Sequence, residues 1–99
     1  MPDTNEPRNG SSAVSEIQTL MSEIARALVD DPDAVHIETY KDGDSSVLRL
    51  HVAPNDIGKV IGKQGRTARS LRTILGAASM KFHERFALDI VETDSSTGS

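Results

Sequence analysis

Residues 56–66 read Asp56-Ile57-Gly58-Lys59-Val60-Ile61-Gly62-Lys63-Gln64-Gly65-Arg66, and where this stretch breaks decides how the rest of the chain must be arranged. Ile57, Val60 and Ile61 have the spacing of a short helix that Asp56 can cap. Gly62-Lys63-Gln64-Gly65 then interrupts it. Without Cβ atoms the two glycines permit positive φ and let another backbone approach closely. From about Arg66 a longer helix is predicted, with Leu71, Leu75, Ala78 and Phe82 on one face. The loop therefore leads into a helix N-terminus, where unsatisfied N–H groups and the dipole favour phosphate, and Lys63 and Arg66 add full charges there. A Walker loop would need Lys then Ser or Thr after the last glycine, but Arg66 follows Gly65. The glycines are spaced G-xxx-G-xx-G, which is not the dinucleotide fingerprint. Nucleotide hydrolysis and NAD binding are poor readings.

Upstream, Ala53-Pro54-Asn55 breaks a strand in which Leu48, Leu50 and Val52 alternate with Arg49 and His51. Lys41-Asp42-Gly43-Asp44-Ser45 is turn chemistry. Before it, Val35, Ile37 and Thr39 alternate with His36, Glu38 and Tyr40, so the two runs form a hairpin. Ile17, Leu20, Met21, Ile24 and Leu28 follow helical spacing. Ser15 and Gln18 fit a capping box, and Asp30-Asp31-Pro32 ends the helix. Downstream, Phe86, Leu88 and Ile90 share one side of a last strand. That strand can bury its apolar side only by joining the hairpin, and a strand returning through helices implies a parallel pairing. The expected fold class is α+β: a three-stranded mixed sheet with helices packed on one face.

The chain has 99 residues, 36% of them hydrophobic, enough for one modest core. Residues 15–92 form the expected domain, between disordered arms at 1–14 and 93–99 that are rich in Ser, Asp, Gly and Asn and lack apolar periodicity. With no cysteine, disulfides, thiolate metal sites and cysteine nucleophiles are ruled out. No run is apolar enough to span a bilayer and no signal-peptide pattern is present, so a cytoplasmic protein without membrane contact is expected. The net charge of −4 hides an asymmetry: Asp56 to Arg85 holds seven bases against two acids, net +5, and the remainder carries −9. Because fields are screened within about 8 Å, a locally basic surface can attract a polyanion despite the negative total.

The quoted stretch resembles the signature loop of KH RNA-binding domains, and the element order is similar to the type II form of that fold. The likeness is closer to the KhpA (YlqC-type) family of small bacterial single-KH proteins. It is carried by Leu28-Val29-Asp30-Asp31-Pro32, by Ala53-Pro54-Asn55-Asp56, and by Ile57 through Arg66. In KH domains the G-x-x-G loop clamps about four backbone nucleotides. Carried over, this makes Lys59, Ile61, Gly62, Lys63, Gln64, Gly65, Arg66 and Arg69 the expected RNA-binding residues. The resemblance also gives apolar side chains among Ile57, Val60, Ile61, Leu50 and Val52 a role in flooring a groove for bases. It implies a non-catalytic protein that binds single-stranded RNA as a chaperone or post-transcriptional regulator. Homodimerisation, or pairing with a second KH protein of the KhpB (Jag, EloR) type, is implied too, with links to cell shape, elongation and division. Where many KH domains carry a large aliphatic residue after the loop, this chain has Ala68.

Arg66, Arg69 and Arg72 fan across about 120° of helix surface. For Arg69 and Arg72 a phosphate contact and a solvated face weigh equally. His36 and His51 can be neighbours on paired strands, but two histidines without carboxylates make a weak metal site, so neither metal nor other cofactor is expected. No arrangement of nucleophile, base and acid supports an enzyme. One Tyr, two Phe and no Trp are too few for an aromatic stacking platform. Two other readings remain: a protein-interaction subunit of a KH heterodimer whose partner holds the RNA, and a ribosome-assembly or RNA-processing accessory factor.

Overall fold

The computed structural model of the chain describes residues 10–91. Both expected arms lie outside these residues, apart from 10–14, and so does Glu92. The elements follow the order α1 (Gly10–Leu28), β1 (His36–Asp42), β2 (Ser45–His51), α2 (Ile57–Ile61), α3 (Arg66–Phe82) and β3 (Arg85–Val91), with single 3-10 turns at Pro32–Ala34, Pro54–Asp56 and Lys63–Gly65. The strands form one sheet in the order β1-β2-β3, β1 antiparallel and β3 parallel to β2. This is the α+β, mixed-sheet architecture expected from the sequence.

The register sorts the side chains. Ile37, Leu50 and Ile90 lie in one row, and Thr39, Leu48 and Leu88 in the next. These rows face the helices, and Ile37, Leu48, Leu50, Phe86 and Leu88 are buried there with Met21, Val60, Leu71 and Leu75. The opposite face carries Glu38, Arg49 and Asp89 in one row, and Arg49 Nε lies 3.5 Å from the Asp89 carboxylate. Opposite charges alternating across the strands suit a face left to water. Gly43 adopts φ +61° in the hairpin turn.

The first helix differs from the expectation at both its start and its seam. It begins at Gly10, so residues 10–14 are helical and the Ser15–Gln18 capping box does not form. Ala13 is buried one turn before Ile17, which extends the helix's apolar stripe backward. Gln18 lies inside the helix and donates from Nε2 to Ile37 O over 3.3 Å. The buried seam is Ala13, Ile17, Met21 and Ala25, while Leu20 and Leu28 stay exposed. Small alanines thus occupy both ends of the seam, and the larger leucines lie outside it. Among the described residues, no helix is long and apolar enough to cross a membrane.

Candidate nucleic-acid interface

The loop forms where the short helix α2 must stop. Gly62 N–H donates to Gly58 O over 2.8 Å, closing that helix, and the chain turns out at Gly62 with φ 78° and ψ 172°. This backbone region is open essentially to glycine alone. A second restriction applies at the same place. A Cβ on Gly62 would sit 2.7 Å from Thr67 Cβ and 2.9 Å from Thr67 N, closer than atoms pack. Lys63–Gly65 then make one 3-10 turn, with Gly65 N–H donating to Gly62 O over 3.0 Å. Gln64 (φ 57°) and Gly65 (φ 75°) are both left-handed, and a Cβ on Gly65 would meet nothing within 4 Å. The two glycines therefore serve different ends. Gly62 makes room inward for Thr67, and Gly65 leaves the outer side of the loop bare.

Lys63 and Gln64 are exposed at the tip, Arg66 opens α3 and Arg69 follows one turn later, both exposed. Lys63, Arg66 and Arg69 have no acidic partner among the described residues. The first turn of α3 holds no acid, and no side chain caps it. Its leading N–H groups and these three exposed cations, close together in the chain, make this end of the domain locally positive. Gln64, Gly65, Arg69, Arg72 and Thr73 line a depression beside the tip.

Two expected site residues behave differently. The Lys59 ammonium turns back to the segment after α1, 3.3 Å from the Asp30 carboxylate and 3.7 Å from that of Asp56, so its charge is shared within the protein. Ile61 is half-buried and packs against the core. Leu50, Val52 and Val60 are sealed in that core, and Ala68 and Leu71 are buried beneath α3. Leu50, Val52 and Val60, among which the resemblance placed a groove floor, are therefore closed off from the surface.

Asp56 corrects a further expectation. Its side chain makes no cap to α2, though only 2% of the residue is exposed. Instead its Oδ2 accepts the Asp31 N–H over 3.0 Å, tying the turn after α1 to the helix that carries the loop. The sequence offered no signal for this pairing across 25 positions. Thr67, the contact that makes Gly62 obligatory, was likewise missed, and a β-branched residue in the first turn of a helix entered from glycine is the pattern that could have marked it. Gly76, in the middle of α3, faces open space.

The histidine pair does have a carboxylate. The rings of His36 and His51 lie 5.5 Å apart, and Glu38 reaches both, at 3.1 Å from His51 Nε2 and 3.8 Å from His36 Nε2. That hydrogen bond from His51 holds the Glu38 carboxyl below its ordinary value, aided by the charges of His51, His36 and Arg49. Among the described residues no set of three His, Cys, Asp or Glu side chains is placed to hold a metal ion.

The family model described as the KH domain of KhpA/KhpB matches residues 18–90. Curated relatives named RNA-binding protein KhpA include one from Halalkalibacterium halodurans, 50% identical over 76 residues, covering 77% of this chain and all of the relative. One from Treponema pallidum is 45% identical over 75 residues, covering 76% of this chain and 94% of the relative. One from Aquifex aeolicus is 42% identical over 79 residues, covering 80% of this chain and all of the relative. Among solved structures, Aquifex aeolicus Era bound to GDP and aluminium fluoride superposes with a TM-score of 0.54 at 10% identity. It covers 99% of this chain but only 36% of that protein, and at such identity it speaks for the fold alone.

Proposed function

Because the chain belongs to the KhpA/KhpB family of KH domains, we propose that it binds single-stranded RNA, without catalysis, by seating the sugar–phosphate chain on the Gly62–Gly65 loop. One observation carries the reading: the loop stands open, with Gly65 bare and the exposed Lys63, Arg66 and Arg69 lacking acidic partners among the described residues. Main-chain N–H groups at the start of α3 and these side chains take the phosphates. Gln64 offers a neutral donor at the tip, and Ile61 supports the loop from below. Lys59, engaged by Asp30 and Asp56, stiffens the approach and adds to the field more than it touches RNA. A single small domain gripping about four nucleotides gives modest affinity and selectivity. The relatives' name supports RNA as the polymer, and the cytoplasm is the compartment where a chaperone or regulator of transcripts, with effects on cell elongation and division, would work.

The experiment is a Lys63→Asp, Gln64→Asp double variant, checked for folding by circular dichroism and titrated with short RNA at several salt concentrations. The fold should persist, binding should be lost, and the unaltered protein should show a salt slope reflecting several phosphate contacts. Equal binding by both proteins would refute the loop assignment.

A second reading has its own observation. Leu20 and Ile74, each 40% exposed, line a mostly apolar groove between α1 and α3 with Ile17, Ala78 and Phe82, and with Glu16 and Lys81 at its charged positions. This apolar face supports self-association or pairing with a second KH protein, which would place two loops on one RNA and raise affinity through effective concentration. If the protein binds no RNA alone yet associates with such a partner, it acts as an interaction subunit whose partner holds the RNA.

A further inference from the structure

We propose that Arg72 reads bases rather than phosphates, and that it favours guanine over adenine at the free edge of β3. The inference rests on the RNA-binding reading above and adds to it a residue and a base class. β3 is an outer strand, so half of its main-chain polar groups face away from β2. Two bonds identify which. Phe86 N–H donates to Ser79 Oγ over 3.1 Å, and Leu88 O accepts from Arg72 Nη2 over 3.3 Å. Both partners come from α3. The edge beside the helix is therefore partly filled before any ligand arrives.

Arg72 occupies a junction. On one side it lines the depression that holds Gln64, Gly65, Arg69 and Thr73, next to the loop. On the other it lines a cleft of about 260 Å³ with Leu75, Phe86, Ala87 and Leu88. An RNA strand with phosphates on the loop reaches this cleft with its next bases, and the apolar walls accept their faces. The guanidinium is turned toward β3, where its Nη2 donates to Leu88 O.

The polar groups left in the cleft then decide the base. Leu88 O, the acceptor that an adenine amino group beside Arg72 would need, already accepts from Arg72, so adenine would have to share it with the guanidinium. Leu88 N–H points to the same edge as Leu88 O, and Arg72 has further N–H donors in its fork. Phe86 O, the outward acceptor still open, lies toward the far end from Arg72. A base placed against Arg72 thus meets donors. Guanine answers them with O6 and N7, the pair that arginine engages bidentately, whereas adenine presents its N6 amino donors where guanine has O6.

Uridine hexamers with one central guanosine or adenosine provide the test, read by fluorescence anisotropy at two salt concentrations with full-length protein. The guanosine oligomer should bind about tenfold tighter. Arg72→Met and Arg72→Lys, both with unchanged circular dichroism, should each bring the two oligomers to within about twofold and leave the salt slope in place. The lysine variant keeps the charge and loses the fork, so collapse there points to geometry. The proposal is overturned if the unaltered protein binds both oligomers equally or prefers adenosine. It is equally overturned if Arg72→Met weakens both alike and lowers the salt slope by about 0.7, the signature of one phosphate contact on a single strand. Absence of binding to either oligomer would instead refute the RNA-binding reading itself, and this inference with it.

Discussion

The Asp31 amide donates to the Asp56 carboxylate over 3.0 Å, joining the end of the first helix's turn to the start of the loop-bearing helix. A carboxylate with 3% of its side chain exposed is costly unless its oxygens are engaged. Here one oxygen takes the amide, and the other lies 3.7 Å from Lys59. The loop's entry is thus fixed from a distant part of the chain. Asp56→Ala should cost about 1 kcal/mol by urea denaturation, because it removes the acceptor of the Asp31 N–H while Lys59 keeps its contact with Asp30. Asp56→Asn keeps an oxygen for the amide and should cost less than half as much. Equal losses in the two variants would show that the amide bond contributes nothing.

Gly62 and Gly65 look equivalent in sequence and are not. Gly65→Ala meets no atom and adds only the strain of a left-handed alanine, about 1 kcal/mol. Gly62→Ala must occupy a backbone region of about 1–3 kcal/mol strain and also displace Thr67, so it should cost well above Gly65→Ala or prevent folding. In RNA binding the order should reverse per unit of stability lost, since the methyl on Gly65 faces the incoming strand. Thermal melts and RNA titrations of both variants check this.

Lys59 and Lys63 separate a paired cation from an open one. Lys63→Ala should lower the salt slope of RNA binding by about 0.7, as expected for one phosphate contact on a single strand. Lys59→Ala should leave the slope nearly unchanged, because its ammonium already sits between Asp30 and Asp56. Equal slope changes would place both lysines on the RNA.

Much of this arrangement was legible from the chain. Proline and glycine punctuation located the hairpin, the loop and the start of α3, and alternation in 48–52 and 86–90 named the strands' buried sides. The parallel return of β3 followed from the need to bury Phe86 and Leu88. What escaped were choices made by packing rather than pattern. Ala13 and Ala25 set the α1 seam because small residues allow close approach, and periodicity weighted Leu20 and Leu28 above them. Asp56 looked like a helix cap because local spacing cannot see Asp31 arriving from 25 residues away. The cations on the loop could be counted in sequence, but only three-dimensional placement separated Lys59 from Lys63.

The pairing of Glu38 with His51, its diagonal neighbour on the water-facing side of the sheet, makes a prediction about acid stability. Glu38 accepts from or pairs with His51 Nε2 at 3.1 Å, and His36 and Arg49 lie close enough to add their fields. These hold its carboxyl below the ordinary glutamate value in the folded protein. The folded state therefore binds this proton less tightly than the unfolded chain, and the unfolded chain takes it up first as pH falls. The stabilisation is complete above the ordinary glutamate range and is lost as pH drops through the folded value. Glu38→Gln removes the titration while keeping shape. Urea midpoints of both proteins, measured from pH 7 to pH 3, should differ by a constant amount near neutrality, with the unaltered protein the more stable. The difference should shrink on the acid side. Curves that stay parallel to the lowest pH would mean that the cross-strand pair carries no proton linkage and is only a surface contact.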